Sequence, residues 1–305
     1  MNYSIHTFEL SLYIESEGKR CKNKSEISKG IEVKEFDNKH GRLIRLKVNP
    51  SKLLKGDDSK LWKPNHKNVE KLIDKLRRHI AEFFDNEFEL DYFDLTRIDF
   101  TVDFPIGSKK RVAAYIQILH NFGKVSGFKM KYNQHDYEND IDIDSSYDLI
   151  KSDGTGFTFY DKWKQCGLDQ TEGILRAEVR LTKKKAIKKH TDETTVSEQI
   201  RDLSNRSKHI FLKIFSKVIF PGMYCTMKRA SEIINRDVSK VKQQGRMLHL
   251  LKLTKKMSLN EAKAKMKDKN FDRVMRKFAE IGLSPVTIRK RYGISELKSL
   301  YDYFE

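Results

Sequence analysis

The 305-residue sequence predicts an α+β fold, an antiparallel-sheet domain followed by a basic all-helical domain. Three observations carry this. Residues 96–104, 156–162 and 175–181 alternate polar or ionisable with apolar side chains at period two, the pattern of a strand with one buried face. Elsewhere apolar residues recur at the three- and four-residue steps of an amphipathic helix. The net charge of +18 is unevenly placed: residues 181–305 hold 30 Lys/Arg against 13 Asp/Glu, whereas residues 1–180 hold 31 against 30. The expected division is a sheet domain over residues 1–190 and a helical domain over residues 191–305.

Composition narrows the function classes. With 38% hydrophobic and 34% charged residues the chain reads as a soluble, intracellular protein, and no apolar run approaches the roughly 20 residues of a membrane helix. Residues 1–12 lack a basic head followed by an apolar block, so no signal peptide is expected. Cys21, Cys166 and Cys225 form no Cys-x-x-Cys pair, which argues against a disulfide framework or zinc site and fits a reducing cytoplasm. A basic excess confined to one part of the chain is the footprint of a polyanion binder, and nucleic acid is the expected partner over a merely solvated surface.

Taken in order, residues 3–14 and 42–48 read as strands separated by a polar segment, and Asn49-Pro50 ends the second. From Asn68 a stripe of Val69, Leu72, Ile73, Leu76, Ile80, Phe83 and Phe84 predicts a helix. Residues 96–104 form the next strand, and Ser108 caps a helix carrying Val112, Tyr115, Ile116, Leu119 and Phe122. This strand, helix, strand, helix order indicates an α/β unit. Asp140, Asp142 and Asp144 alternate within an acidic stretch that could bind a cation but matches no calcium loop, and the preferred reading is an edge strand or loop kept soluble by charge. From about Glu198 the chain is expected to be helical to its end, first on the stripe Ile200, Leu203, Ile210, Phe211, Ile214, Phe215 and Val218. Ser284-Pro285 reads as a helix start, and residues 286–292 and 295–304 flank Gly293 as a helix-turn-helix with Arg289, Lys290 and Arg291 facing a DNA backbone.

If the three central strands share a sheet, one surface gathers Arg97, Asp99, Asp103, Thr158, Tyr160, Lys162, Arg176, Glu178 and Arg180. Singly, each charged pair is an exposed ion pair worth about 0–1 kcal/mol, and Tyr160 a packing residue; together they suit phosphodiester chemistry. Tyr160 is the expected nucleophile, with Tyr92 and Tyr147 next in line. A phenol with a pKa near 10 needs help at neutral pH, which Lys162 on the same face is expected to give. Asp99, Glu178 and Asp103 are the expected ligands of a divalent cation, Mg2+ or Mn2+. Arg176 and Arg180 would clamp phosphate oxygens, with Lys183, Lys184 and Lys185 as further phosphate contacts.

The runs Arg97-Ile98-Asp99, Phe159-Tyr160-Asp161-Lys162 and Leu175-Arg176-x-Glu178-x-Arg180, in that order, resemble the motifs of filamentous-phage gene II replication initiators and related plasmid rolling-circle replication proteins. Upstream, residues 48–56 (Val-Asn-Pro-Ser-Lys-Leu-Leu-Lys-Gly) resemble a further segment, and the likeness spans about residues 30–190. The resemblance implies a metal-dependent endonuclease whose tyrosine, here Tyr160, nicks one origin strand, stays joined to the 5′ end and frees a 3′-hydroxyl for the host polymerase, with a host helicase as a further partner. The chain departs from many rolling-circle initiators in lacking a His-hydrophobic-His triplet, so its metal site would rest on carboxylates helped by a histidine such as His6 or His40. The alternatives are a non-enzymatic DNA-binding initiator or regulator and a conjugative relaxase.

Overall fold

A computed structural model describes residues 3–15, 29–38, 41–57, 59–123, 125, 127–130, 145–266 and 271–304. The row Asp140, Asp142, Asp144, along with His40 and Cys21, lies outside the described residues.

The protein is α+β. Among the described residues, eight strands form one sheet in the order β2-β3-β1-β4-β8-β7-β6-β5, and every neighbouring pair is antiparallel. The strands are β1 (Tyr3–Ile14), β2 (Ile31–Asn38), β3 (Gly41–Val48), β4 (Asp94–Pro105), β5 (Lys129–Met130), β6 (Ser146–Ile150), β7 (Thr155–Asp161) and β8 (Ile174–Leu181). β2 falls in the stretch read as a polar connector. Its buried Ile31 and Val33 alternate with charged residues, a short period-two pattern that the neighbouring charges mask.

Helix α1 (Pro50–Lys55) is specified by local chemistry: the Asn49 side chain accepts from Lys52 N–H, Pro50 opens the first turn, and Gly56 closes it at φ 78°. Helix α2 (His66–Phe83) buries the expected stripe from Val69 to Phe83, each side chain contributing about 1.5–3 kcal/mol over exposure. β3 and β4 are separated by β1 and antiparallel to it, so the α/β unit read from the sequence is a split βαβ. Helix α3 (Lys109–Phe122) is capped by Ser108 as expected. Short helices α4 (Lys162–Cys166) and α5 (Lys184–Ile187) follow β7 and β8.

The stripe beyond Glu198 is two helices, α6 (Val196–Asn205) and α7 (Ser207–Val218), broken at Arg206, whose guanidinium turns away to donate to the His190 carbonyl. α7 covers the apolar sheet face. Phe215 stacks on Phe104, Phe211 meets Phe157, and Phe304 from the C-terminal segment packs against Phe215 with ring centroids 5.0 Å apart. One hydrophobic core therefore takes in residues on both sides of position 190. A second core unites four helices, α8 (Met227–Asp237), α9 (Val241–Thr254), α10 (Leu259–Met266) and α11 (Phe271–Glu280).

The C-terminal segment departs from expectation. Ser284-Pro285 starts no helix: the Ser284 hydroxyl accepts from Val286 N–H in a turn. Instead of a helix-turn-helix, residues 286–304 form two short 3-10 turns and β10 (Glu296–Leu297), which pairs with β9 (Tyr224–Cys225). Val286, Ile288, Leu297 and Leu300 are spent in the sheet's core, so this segment fastens the chain to the sheet.

Candidate active site

The polar face is assembled by register. Asp99, Arg180 and Gly156 lie across β4, β8 and β7 in one row. Thr101, Glu178, Thr158 and Asp148 form the next, and Asp103, Arg176, Tyr160 and Ser146 the third. Because side chains alternate along each strand, these rows stand on one face. Far from being a solvated surface, it is largely enclosed: Arg176 is 0% exposed, Asp99 1% and Glu178 2%. A cleft of about 430 Å³ opens beside it, lined by His6, Asp99, Asp148, Tyr160, Glu178 and Arg180 among others.

Glu178 is the hub. Its Oε1 accepts the Tyr160 hydroxyl at 2.6 Å and lies 3.0 Å from His6 Nδ1, while Oε2 accepts from Arg180 Nε at 2.9 Å. Burial works against its charge, yet hydrogen bonding and charge from His6, then Arg180 and the Tyr160 hydroxyl, hold the carboxyl well below the usual range. Tyr160 is pushed the other way. Burial and then the Glu178 charge raise the phenol well above its ordinary value, opposed by Arg176 and Arg180.

His6 reaches this site through a β-bulge. Ile5 pairs with Phe100 and Thr7 with Asp99, so His6 is an extra residue on β1. Trp62, fully buried, donates its indole N–H to the Ile5 carbonyl at 2.7 Å and pins the bulge. The sequence holds a trace of it: core positions Ile5 and Phe8 are three apart, whereas Phe8 and Leu10 keep the step of two.

The remaining carboxylates are matched with guanidinia. Arg97 grips Asp99 in a two-point contact, 2.9 Å from Nε to Oδ1 and 2.7 Å from Nη2 to Oδ2, while Thr7 donates to Oδ2 at 2.7 Å. Arg176 holds Asp103 the same way at 2.6 and 2.8 Å. Among the described residues, no three His, Cys, Asp or Glu side chains converge as a preformed metal cage. Mg2+, however, commonly takes only one or two protein oxygens and completes its shell with phosphate and water. The Glu178 carboxylate beside an imidazole, opening on the cleft next to Asp99, fits that mode in donor chemistry. Asp103, tied to Arg176, is outside the cleft lining.

Lys162 differs from expectation. β7 ends at Asp161, whose carboxylate caps α4 by accepting from Trp163 and Lys164 N–H, so strand alternation stops before Lys162. Lys162 is buried with Nζ on Gln165 Oε1 at 2.8 Å, and the lysines lining the cleft are Lys47 and Lys164. The cations opposing the rise of the Tyr160 phenol are Arg176 and Arg180.

Of the other tyrosines weighed, Tyr147 is buried on the apolar parity with its hydroxyl on the Gly123 carbonyl, and Tyr92 is 57% exposed outside the cleft. Lys183, Lys184 and Lys185 follow the far end of β8: Lys183 donates to the Ser152 carbonyl, Lys184 pairs with Asp94, and Lys185 is exposed. Arg289, Lys290 and Arg291 are exposed beside α3, away from the cleft, with Arg291 over the Tyr292 ring. Sequence reasoning put Thr158 on this face but missed Asp148 of β6 as its partner: the Thr158 hydroxyl donates to Asp148, and Arg180 reaches Asp148 at 3.8 Å.

A family model for the N-terminal part of the phage gene II replication-associated protein matches residues 10–202. No curated protein matches the chain. Among solved structures, a rolling circle replication initiator protein from Geobacillus stearothermophilus aligns with 12% identity and a TM-score of 0.37, covering 95% of this chain and 98% of that one.

Proposed function

The chain belongs to the gene II-type family of phage replication-associated proteins, and from that premise we propose that it initiates rolling-circle replication by nicking one origin strand through Tyr160. The observation that carries this reading is the Tyr160 hydroxyl, at the wall of the cleft, hydrogen-bonded at 2.6 Å to a buried carboxylate that Arg180 also holds. Tyr160 Oη attacks the scissile phosphorus, the bond to the 3′ oxygen breaks, and the 5′ phosphate remains on the tyrosine while a 3′-hydroxyl is released.

The hydrogen bond directs the phenolic proton toward Glu178. Since Glu178 is held more acidic than usual and Tyr160 less so, full transfer before attack is uphill. Proton movement therefore accompanies bond formation, and the charges of Arg176 and Arg180 favour the developing phenolate. Arg180, in the cleft, also suits a phosphate oxygen. A divalent ion, Mg2+ or Mn2+, would be held by Glu178 with His6 and Asp99 beside it, and would polarise the phosphate as a Lewis acid. The origin duplex, a helicase and a polymerase are the partners this activity calls for.

The test incubates the protein with supercoiled plasmid carrying its own origin in Mg2+ or Mn2+, reading relaxed circles and protein trapped on DNA. Tyr160→Phe should abolish the adduct, and EDTA should abolish nicking. A wild-type adduct level in the variant overturns Tyr160 as nucleophile; cutting in excess EDTA removes the metal from the reading.

A further inference from the structure

The bundle of α8–α11 carries a surface that the nicking chemistry does not use. α8 and α9 are joined by only three residues, Val238, Ser239 and Lys240. Ala230, Ile233 and Ile234 on α8 share a core with Met247, Leu250 and Leu251 on α9, so the two helices brace each other. The turn is fastened from within: Gln244 Nε2 donates to the Val238 carbonyl at 2.6 Å and to that of Asn235 at 3.3 Å.

The other face of α9 is exposed. Val241 in its first turn is 79% exposed, the highest among the large hydrophobics of the described residues that reach solvent. Lys242, Gly245, His249 and Lys252 continue that face, all exposed, and α9 contains no acidic residue. Gly245 is the informative one. Glycine is the residue a helix interior tolerates worst after proline, and a Cβ there would meet nothing within 4 Å. No packing among the described residues requires it. A glycine on an exposed helix face, kept at a cost to the helix, fits a partner that approaches the backbone closely.

Charge indicates the partner. Residues 221–283 hold 16 Lys/Arg against 6 Asp/Glu. Beside the turn, a second cleft is bordered by Lys240 and by Arg273 and Arg276 of α11, while its acidic members Asp237 and Glu280 are paired with Arg236 and Lys277. Cations flanking the start of an exposed, acid-free helix complement two phosphate backbones on either side of a groove.

We propose that α8 and α9 form a helix-turn-helix that reads double-stranded DNA, with α9 entering the major groove. Val241 and Lys242 in its first turns face base edges, where an apolar side chain suits a thymine methyl and a lysine suits guanine. Gly245 lets the helix seat deeply. Lys240, Arg273 and Arg276 hold phosphates and fix the register. The assignment goes beyond strand cleavage and stands whether or not Tyr160 cuts.

The experiment uses the full chain carrying Tyr160→Phe, so that cleavage plays no part, and selects from duplexes with a randomised centre. The selected duplex is then titrated with Gly245→Ala, Lys242→Ala and Arg273→Ala variants of that protein. The expected result is enrichment of one sequence. Gly245→Ala should raise the melting temperature by improving the helix, yet weaken the selected duplex by about tenfold or more. Lys242→Ala should relax the selected sequence, and Arg273→Ala should weaken all duplexes alike and lower the salt slope by about one. Failure to enrich any sequence overturns the assignment, and so does a Gly245→Ala protein that melts higher but binds as before. Unchanged duplex binding in all three variants would give this face to a protein partner instead.

Discussion

The polar face of the sheet and the outer face of the helical bundle are both rich in charge, and they treat it in opposite ways. On the sheet, Asp99 is paired with Arg97, Asp103 with Arg176, and Glu178 with Arg180 and His6, all at hydrogen-bond distance. On the bundle, basic residues outnumber acidic ones by 16 to 6 over residues 221–283. Burial explains the contrast: an unpaired charge inside a protein costs several kcal/mol, whereas an exposed one costs little and remains available to a polyanion. A reaction centre needs side chains held in place; a backbone-binding surface needs charge left over.

The largest effect that sharpens this comparison is on folding. Cutting the chain after His190 strips Phe211, Phe215 and Phe304 from Phe104 and Phe157. Taking one large aromatic side chain out of a core costs about 3–5 kcal/mol, so the loss of all three matches a typical domain's whole stability of about 5–15 kcal/mol. Such a fragment should show no cooperative melting. Excising residues 227–281 behind a short linker should instead leave a folded sheet that still nicks single-stranded origin oligonucleotide, because Met223 and Leu283 already pair at the base of the bundle. The excised form should lose most duplex affinity and its steep salt dependence. Duplex binding equal to that of the full chain would dissolve the division of labour.

Next in size is Glu178→Gln. It keeps a hydrogen-bond acceptor for Tyr160 but removes the charge that Arg180 and His6 surround, so nicking should fall by about 10²–10⁴-fold and the melting temperature should also drop. Duplex binding should hold within a factor of about two. A variant that nicks at the wild-type rate would remove Glu178 from the chemistry.

The smallest effect is a pH dependence at buried His190, in the connection between α5 and α6. Burial, and then the charges of Lys213 and Arg206, push the His190 imidazole down to about 4. Its folded pKa lies below the unfolded value of about 6.5, so the unfolded chain binds more protons between them and stability rises with pH over that window. The melting temperature should therefore fall as pH drops from about 6.5 toward 4, and His190→Gln should flatten that slope. An unchanged slope would assign the acid sensitivity elsewhere.

Much of this protein was legible in its sequence, because the signals are local. Period-two alternation placed Arg97, Asp99, Tyr160, Glu178 and Arg180 on one sheet face, and the three-four step located α2 and the Ser108-capped α3. The ordered motifs around Tyr160 carried the family resemblance that the match over residues 10–202 bears out. Tertiary structure decided what depends on partners distant in the chain. His6 enters the site only because an extra residue in β1, pinned by Trp62, turns it there. Lys162 misses its expected place for a local reason that strand alternation hid: the carboxylate of its neighbour Asp161 caps a helix where the strand would have run on. The C-terminal segment reads as helical from its own periodicity but is drawn into strand pairing and the core, because burying Val286, Ile288, Leu297 and Leu300 outweighs a helix propensity worth tenths of a kcal/mol per residue. The pairing of Asp103 with Arg176 was likewise settled by register, which no single strand contains, whereas Arg97 with Asp99 and Arg180 with Glu178 are neighbours two apart within β4 and β8.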